Sequence, residues 1–378
     1  MAPLRMPVLR GSPCLALGAP QPGLRARPGR GAAVVRAAKT ADGPSVAIAG
    51  VTGAVGQEFL RVLKERDFPY SKLKPLASAR SAGKHVQFDG QDIVVEELTA
   101  DSFKDVDIAL FSAGGSITKK FAQAAIDSNC MIVDNSSAFR MTDGVPLIIP
   151  EVNGEDMAGY KVGKGGIIAN PNCSTIIALM AVTPLHKAAG VERMVISTYQ
   201  AASGAGQAAM DELVLQMREF LDGKEVTKEI FPLQYAFNLF SHNSPITDTG
   251  YNEEEMKMVK ETHKIWKDPD VKVTATCIRV PVMRAHAESI NLQLKNPLTE
   301  SEARAALNSS PGVSIIDDRE NNRFPTPLDA TSRDDVYVGR VRRDISRGDD
   351  KGLDLFVCGD QIKKGAALNA VQIAELLL

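Results

Sequence analysis

The sequence predicts an α/β protein with a Rossmann-type, doubly wound parallel sheet and a second, α+β domain with a mixed sheet. Its 378 residues suffice for about two domains. From Ser45 onward, short apolar strands alternate with amphipathic segments, an order typical of a parallel sheet covered by helices. We place the first domain at residues 45–171, completed by a C-terminal helical segment at 352–378, and the second at 172–351. The second domain has predicted strands at 271–280, 289–294, 313–316 and 336–341.

The composition is that of an ordinary globular protein without a charge bias. Hydrophobic residues make up 44% and charged residues 24% of the chain, which excludes intrinsic disorder. With 44 Lys and Arg residues against 46 Asp and Glu residues, the formal net charge is −2. We therefore expect neither nucleic acid nor an anionic membrane as a partner. The longest apolar run, at about 175–185, is too short to cross a bilayer.

The first 41 residues differ from the rest of the chain. They contain basic residues but no acidic one, and they are rich in Pro, Gly and Ala. They also lack the compact apolar segment of a secretory signal, so this composition is typical of an organelle transit peptide. We expect residues 1–41 to direct the protein to the plastid stroma. The mitochondrion and a tail without any targeting role are the alternatives.

The cysteines and histidines show no metal-binding pattern. The sequence contains no CxxC pair, and no histidines stand at metal-ligand spacing, so we expect neither a structural zinc site nor a disulfide framework. Three of the five cysteines lie in or beside predicted strands, which indicates positions in the core: Cys130, Cys277 and Cys358.

A glycine-rich turn links the first predicted strand to the first predicted helix. The strand at 45–49 continues into Gly50-Val51-Thr52-Gly53-Ala54-Val55-Gly56, and an amphipathic segment follows. In a dinucleotide site, glycines let the backbone approach the pyrophosphate, which binds at the helix N-terminus. The spacing GxxGxxG departs from the usual GxGxxG, so a tight turn without a ligand is the alternative. We assign six residues of this turn to a cofactor site: Gly50, Thr52, Gly53, Ala54, Val55 and Gly56.

The residues after the second predicted strand indicate which dinucleotide is bound. An NAD site usually has Asp or Glu there, to hold the ribose 2′-hydroxyl. Here the strand at 74–77 is followed by the basic segment 78–84, which contains Arg80 and Ser81. Arg80 would pair with a 2′-phosphate and Ser81 would donate to it, whereas a carboxylate would repel it. We therefore predict NADP as the cofactor, with a solvated basic loop as the alternative.

Further polar segments follow predicted strands of the first domain. The strand at 106–111 ends at Ser112-Ala113-Gly114-Gly115, and the strand at 131–133 ends at 134–137. Ligands of open α/β sheets bind at the carboxyl ends of the strands. We expect Ser112 to contact the cofactor and the segment 135–140 to border the site. Asp89-Gly90 between two short apolar runs predicts a β-hairpin.

Cys173 lies where a predicted strand meets a predicted helix. The strand at 167–169 is followed by Asn170-Pro171-Asn172-Cys173-Ser174-Thr175, and apolar residues then recur at helical spacing. The free N–H groups and the dipole of a helix N-terminus stabilise a thiolate, which is the attacking species in covalent catalysis. We predict that Cys173 is a nucleophile. A small buried residue at a helix start is the alternative.

A second glycine-rich turn follows the strand at 194–199. The strand ends in Gln200, which would donate to an acyl oxygen or orient the thiol. The segment Ala201-Ala202-Ser203-Gly204-Ala205-Gly206 comes next. We expect this turn to face the first glycine-rich turn across the cofactor, and we expect Ser203 and Gly204 to contact the cofactor.

Five segments, at 50–56, 78–84, 170–175, 200–206 and 279–286, together resemble the bacterial type of aspartate-semialdehyde dehydrogenase. The motifs NPNCST and TYQAASGAG are the most specific of these features, and the resemblance extends from about Ser45 to the C-terminus. It implies that Cys173 is acylated, that Gln200 contacts the substrate, that Arg279 holds the substrate carboxylate and that His286 is the acid/base.

The resemblance also implies roles for residues without a strong motif of their own. Arg140 and Lys257 would bind the phosphate, and Glu254 would lie near the substrate amine. Asn172 would contact the substrate and Gln361 the nicotinamide. A guanidinium offers two parallel donors to a carboxylate, which suits the role of Arg279. The run at 253–257 would equally suit a solvated helix face.

The implied reaction is the reversible, NADPH-dependent conversion of β-aspartyl phosphate to aspartate semialdehyde through a thioester on Cys173, in lysine, threonine and methionine biosynthesis. One alternative is N-acetyl-glutamyl-phosphate reductase, which usually has Gly where this chain has Asn172. Another is a non-enzymatic NADP-binding module. A short-chain dehydrogenase is a weaker alternative, because glycines around Tyr160 and Lys164 oppose the helix it requires. Uncovered apolar strands in 172–351 predict a homodimer.

Overall fold

The computed structural model describes residues 39–378, so the predicted transit peptide lies almost entirely outside the described residues. The first half of this range contains a six-stranded sheet in the order β5-β2-β1-β6-β7-β8, in which every pairing is parallel. The predicted Rossmann-type sheet is thereby confirmed. Its elements, with a separate hairpin β3–β4, are β1 (Ser45–Ala49), α1 (Ala54–Glu65), β2 (Lys72–Ala77), β3 (His85–Phe88), β4 (Gln91–Val94), β5 (Glu96–Glu97), β6 (Ile108–Phe111), α2 (Gly115–Asp127), β7 (Met131–Asp134), α3 (Pro150–Asn153) and β8 (Gly166–Ala169).

The first sheet is apolar on both faces because helices cover both. Val46 and Ile48 of β1 belong to one buried cluster, whereas Ala47 and Ala49 belong to the cluster on the opposite face. This is the pattern of a parallel strand buried between two helical layers. The predicted hairpin is also confirmed, since β3 and β4 pair antiparallel around Asp89 and Gly90, both at positive φ.

The second half contains a seven-stranded mixed sheet in the order β10-β11-β9-β12-β15-β14-β13. The long helix α4 packs on one face of it, within a large apolar cluster. Thr299 forms a capping box with Glu302 at the start of α7 (Glu300–Asn308). The elements are α4 (Cys173–Ala189), β9 (Val191–Gln200), α5 (Gln207–Leu221), β10 (Phe240–Ser241), α6 (Glu253–Trp266), β11 (Lys272–Arg279), β12 (Ala285–Leu294), α7 (Glu300–Asn308), β13 (Val313–Ile315), α8 (Pro327–Ala330), β14 (Val336–Arg343), β15 (Gly352–Asp360) and α9 (Leu368–Glu375).

The C-terminal segment divides between the two sheets, which corrects the assignment of all of 352–378 to the first domain. Residues Gly352–Asp360 form β15, which pairs with β12 and β14 in the middle of the second sheet. Leu353, Leu355 and Val357 of this strand complete the apolar cluster under α4. Only the following π-helical turn, Lys363–Ala367, and α9 reach the core of the first sheet. The alternation of apolar residues in β15 explains why it is a strand.

The described residues hold neither a helix with the length and apolar character needed to span a bilayer nor a group of three or more side chains arranged to hold a metal ion. The segment around Tyr160 and Lys164 is not helical.

Candidate active site

A cavity of about 300 Å³ lies where the two sheets meet. Ser112, Asn135 and Pro171 enter it from the segments that follow β6, β7 and β8, and Gln200 and Arg279 end β9 and β11. The cavity therefore collects the carboxyl ends of strands from both sheets, as expected for a ligand site in an α/β protein. The remaining lining residues are Val55, Ser137, Arg140, Asn172, Cys173, Gly204, His242, Glu254, Lys257, Gln361, Gly365 and Ala366.

Cys173 is the first residue of α4, as the sequence predicts. The side chain of Asn172 caps this helix and accepts from the N–H groups of Ser174 and Thr175. The half-buried thiol opens on the cavity, and its Sγ lies 3.4 Å from Nε2 of His286. Helix α4 and strand β12 thus bring together two side chains that are 113 residues apart in the sequence.

The hydrogen bonds of His286 define its protonation state. The ring is buried, and its Nδ1 accepts a hydrogen bond from the backbone N–H of Ala201 at 3.0 Å. Nδ1 therefore carries no proton, and the neutral ring presents Nε2–H toward Cys173. Burial and the positive charge of Arg279 lower the pKa of His286 to about 3, so the ring is neutral at physiological pH. His286 is a hydrogen-bond donor to the sulfur in this arrangement.

Cys173 is protonated in this structure, whereas its position at a helix start predicts a thiolate. Burial and the carboxylate of Glu254 raise the pKa of Cys173 to about 12. Arg140, Arg279 and the N–H of Ser174 act in the opposite direction but do not outweigh burial. Cys173 is therefore a thiol in this arrangement, because desolvation of the charged form exceeds the effect of the helix N-terminus.

Glu254 is a buried carboxylate at the centre of the cavity wall. Its burial shows that the run at 253–257 is not a fully solvated helix face. Glu254 accepts hydrogen bonds from Asn172 at 2.8 Å, Gln200 at 3.0 Å and Lys257 at 2.9 Å. Burial opposes its ionisation, but Lys257 and these hydrogen bonds hold the pKa of Glu254 well below its usual range. The ionised carboxylate is suited to bind an ammonium group.

Arg140 and Lys257 line the same side of the cavity. The Arg140 guanidinium donates to the carbonyls of Asn170 and Asn135 at 2.9 Å each and to Glu261 at 3.0 Å. Since a guanidinium has five N–H donors, two of them are left for a ligand. A neighbouring cavity of about 270 Å³ is lined by Arg140 and Lys257 as well. Their combined charge suits an oxyanion such as phosphate.

Arg279 lies at the end of β11, where glycine leaves room for it. Its Nη1 donates to the carbonyl of Ala201 at 3.1 Å. A Cβ on Gly204 would lie 2.9 Å from this Nη1, so a side chain at that position would displace the guanidinium. Arg284, five residues further on, points to Asp360 at 2.6 Å instead of lining the cavity. The loop containing Pro281 separates the two arginines, because β12 begins only at Ala285.

The first glycine-rich turn packs so closely on its neighbours that Gly50 and Gly56 leave no room for side chains. Gly50 has a φ of +90°, and a Cβ there would lie 2.3 Å from the carbonyl oxygen of Ser112. A Cβ on Gly56 would lie 2.2 Å from the carbonyl oxygen of Gly50, so α1 packs on the turn without any gap. Within this turn, Val55 lines the cavity, while Thr52, Gly53 and Ala54 form the open start of α1.

The other predicted cofactor residues are spread over three segments. Ser112 and Gln361 line the cavity, and the Oε1 of Gln361 is buried without a hydrogen-bond partner among residues 39–378. Arg80 is exposed and Ser81 buried in a short helical turn after β2, outside the cavity. The hydroxyl of Ser203 donates to the carbonyl of Arg284 at 2.8 Å, so this side chain supports the loop that precedes β12.

Sequence reasoning missed two notable residues of the cavity. Gly365 lies so close to the thiol that its Cβ would be 2.9 Å from Cβ of Cys173. It belongs to the π-helical turn, a form that often occurs at functional sites. His242 stands in the loop after β10 without any recognisable motif. The pairing of β10 with β11 brings His242 close to Arg279, and the sequence does not predict that pairing.

Glu288 is a buried acid outside the cavity, and it predicts a dependence of stability on pH. Its side chain is 0% exposed, and neither carboxyl oxygen has a hydrogen-bond partner among residues 39–378. Burial raises the pKa of Glu288 well above its usual 4.5. The folded protein thus keeps a proton that the unfolded chain releases above pH 4.5, and stability falls as the pH rises.

Replacing Glu288 by glutamine should remove this dependence. We expect the unfolding equilibrium constant of the parent, measured in denaturant, to rise relative to that of Glu288→Gln by about tenfold per pH unit above 4.5, until the pH reaches the raised pKa of Glu288 in the folded protein. The exposed Glu320→Gln serves as the control. Parallel pH curves for Glu288→Gln and the parent would contradict an acid that is neutral in the fold.

Two family models match most of the described chain. Residues 45–160 match the model described as "Semialdehyde dehydrogenase, NAD binding domain", and residues 182–364 match "Semialdehyde dehydrogenase, dimerisation domain". Among curated proteins, the aspartate-semialdehyde dehydrogenase of Synechocystis is 52% identical, with 88% of this chain and 97% of that protein covered. The Bacillus subtilis enzyme is 44% identical, with 89% and 97% covered.

Solved structures agree with this assignment. Aspartate semialdehyde dehydrogenase II of Vibrio cholerae, solved in complex with ASA, has a TM-score of 0.85 and 44% identity, with 89% of this chain and 98% of that chain covered. The Candida albicans enzyme, solved with NADP, has a TM-score of 0.67 at 24% identity over 89% of this chain and 98% of that chain, a likeness of fold. The chain described here belongs to the aspartate-semialdehyde dehydrogenase family.

Proposed function

We propose that this protein catalyses the reversible, NADPH-dependent reductive dephosphorylation of β-aspartyl phosphate to aspartate semialdehyde. One observation supports this proposal most strongly: Sγ of Cys173 lies 3.4 Å from Nε2 of His286, and Cys173 lines a cavity with two separate cationic groups and one carboxylate. Arg279 suits a carboxylate, Glu254 an ammonium group, and Arg140 with Lys257 a phosphate. β-Aspartyl phosphate carries all three groups around the carbon that a thiolate would attack.

The acylation step uses residues on both sides of the thiol. Cys173 Sγ attacks the acyl carbon, a C–S bond forms and the C–O bond to phosphate breaks. The thiol proton leaves with the phosphate, whose negative charge Arg140 and Lys257 neutralise. His286 donates Nε2–H to the sulfur and stabilises the thiolate as it develops.

The second step regenerates the thiol site. When bound, NADPH supplies the hydride that reduces the thioester carbon. His286 holds Nε2–H against the sulfur as the C–S bond breaks, and thereby stabilises the departing thiolate. The thiolate then takes up one proton from solvent, which restores the thiol and balances the proton that left with the phosphate. Arg279 and Glu254 keep the carboxylate and the ammonium group in place through both steps, so that the acyl carbon does not move between them.

Two alternatives fit the charges less well. N-acetyl-glutamyl phosphate has an acylated nitrogen without charge, which offers no partner to the ionised Glu254. A purely structural Cys173 in a binding module would need neither the His286 contact nor the space that Gly365 leaves beside it.

The direct test of the proposed function is a spectrophotometric assay in the reverse direction. We expect aspartate semialdehyde to reduce NADP continuously, beyond a first turnover, only when inorganic phosphate is present, because phosphate releases the acyl group from Cys173. N-acetylglutamate semialdehyde should give little turnover. Turnover that is independent of phosphate, or a preference for the acetylated substrate, would refute the proposed function.

The preference for NADP over NAD is proposed from Arg80. It is exposed just after β2, where a 2′-phosphate would lie, and no carboxylate occupies the segment 78–84. Since a hydrogen bond between charged groups contributes about 1.5–3 kcal/mol, Arg80→Ala should raise the KM for NADPH about tenfold or more and leave that for NADH nearly unchanged. Lys72→Ala, which replaces an exposed lysine at the start of the preceding strand β2, is the control. An equal effect on both cofactors would contradict the assignment.

We also propose a homodimer and a plastid location. The outer face of the second sheet carries Tyr199, which is 37% exposed, with Phe356 at a ring distance of 6.3 Å. This uncovered face would pack against a second copy. Residues 1–41, with the composition of a transit peptide, would direct the protein to the plastid stroma, where its product would serve lysine, threonine and methionine biosynthesis.

A further inference from the structure

His242 is a residue of the cavity wall to which the preceding mechanism gives no role. Its backbone N–H donates to the carbonyl of Cys277 at 2.8 Å, which ties the loop after β10 to β11. Phe240 of β10 pairs with Arg279, and the side chain of Asn243 lies 3.4 Å from Nε of Arg279. The His242 segment therefore borders the arginine that suits the substrate carboxylate.

The hydrogen bonds around His242 fix its tautomer. Nδ1 accepts from the backbone N–H of Ser244 at 3.2 Å and lies 3.1 Å from Oγ of the same residue. That Oγ already accepts from the N–H of Glu254 at 3.1 Å, so its own proton is directed to the ring. Nδ1 is thus an acceptor, and the proton resides on Nε2.

The remaining ring nitrogen of His242 has no protein partner. Nε2 makes no hydrogen bond to any residue between 39 and 378, and His242 is one of the residues that line the cavity. Burial and the charge of Arg279 lower the pKa of His242 to about 4, in agreement with a neutral ring. His242 thus offers one uncharged N–H donor beside a guanidinium.

We infer that His242 is a specificity-determining residue that donates Nε2–H to the α-carboxylate of the substrate, alongside Arg279. This inference rests on the proposed function, because it names a contact to the same substrate. The two donors act differently. Arg279 attracts the carboxylate by its positive charge, and His242 donates one hydrogen bond whose direction is fixed, because Ser244 holds the ring in place. The proposed function assigns Arg140 and Lys257 to the phosphate, and His286 already contacts the sulfur.

The test compares two aldehydes that differ in the carboxylate. Aspartate semialdehyde has it, whereas 3-aminopropanal keeps the amine and the aldehyde but lacks it. We expect His242→Ala to raise the KM for aspartate semialdehyde about tenfold, the value of one hydrogen bond to a charged group, with kcat within about twofold. The kinetics with 3-aminopropanal should not change. His242→Gln keeps an N–H donor and should recover much of the loss.

The outcomes separate this inference from the proposed function. If the parent protein fails to oxidise aspartate semialdehyde, the proposed function is wrong. If the parent is active but His242→Ala raises the KM for both aldehydes equally, or not at all, the carboxylate contact is wrong. A large fall in kcat with a shifted pH profile would overturn it as well, because it would indicate proton transfer. Thermal melting of both variants checks that they fold.

Discussion

Replacing Cys173 by serine should lower kcat/KM for aspartate semialdehyde by about 10³-fold or more. Serine fits the space beside Gly365, so the fold should be retained. Its hydroxyl is far less acidic than a thiol, and the oxygen ester that it would form accepts hydride less readily than a thioester. Steady-state rates of phosphate-dependent NADP reduction measure the effect.

Cys130→Ser is the matched control for this variant. Cys130 is buried and directly precedes β7, at the other end of that strand from Asn135, and it does not line the cavity. We expect near-parental kinetics from Cys130→Ser, although its melting temperature should fall because a hydroxyl replaces a buried thiol. Near-normal turnover by Cys173→Ser would refute the covalent mechanism.

Replacing His286 by alanine should lower kcat by about 10²–10³-fold, the usual contribution of a positioned hydrogen-bond donor to developing negative charge. The reason is the loss of Nε2–H, which lies 3.4 Å from the sulfur and stabilises its negative charge. His286→Gln keeps an N–H donor and should recover part of the rate. Rates for both variants, at saturating substrate, measure this difference.

The pH dependence distinguishes a neutral donor from a charged partner. Because the pKa of His286 is lowered to about 3, the ring does not gain a proton as the pH falls from 8 to 5. We expect kcat of the parent to show no ionisation near 6.5 that disappears in His286→Gln. If such an ionisation does disappear, His286 acts as a cation paired with the thiolate, which contradicts the present account.

Local sequence patterns predicted much of this protein. The glycine-rich turn after β1, the hairpin at Asp89 and the helix that begins at Cys173 each depend on residues close together in the sequence. Their conformations follow from glycine at positive φ, from capping by Asn172 and from apolar periodicity. The family motifs then placed Arg279 and His286 beside the thiol.

Long-range contacts account for what the sequence did not predict. In the sequence, Glu254 belongs to a charged run that would equally suit a solvated helix face. The packing of α6 on the second sheet brings its carboxylate to Asn172 and Gln200. His242 acquires its place only through the pairing of β10 with β11. The prediction of a thiolate at Cys173 differs from the structure for a similar reason. The helix start can be recognised in the sequence, whereas the burial that raises the pKa of the thiol cannot.

The most direct test is to trap the acyl group on the enzyme. Protein mixed with aspartate semialdehyde and NADP, without phosphate, should form about one equivalent of NADPH in a burst and then stop. Acid quenching, digestion and mass spectrometry should find an aspartyl group on the peptide containing Cys173, and on no other peptide. A burst without that adduct, or an adduct on a different side chain, would contradict the thioester on which the account depends.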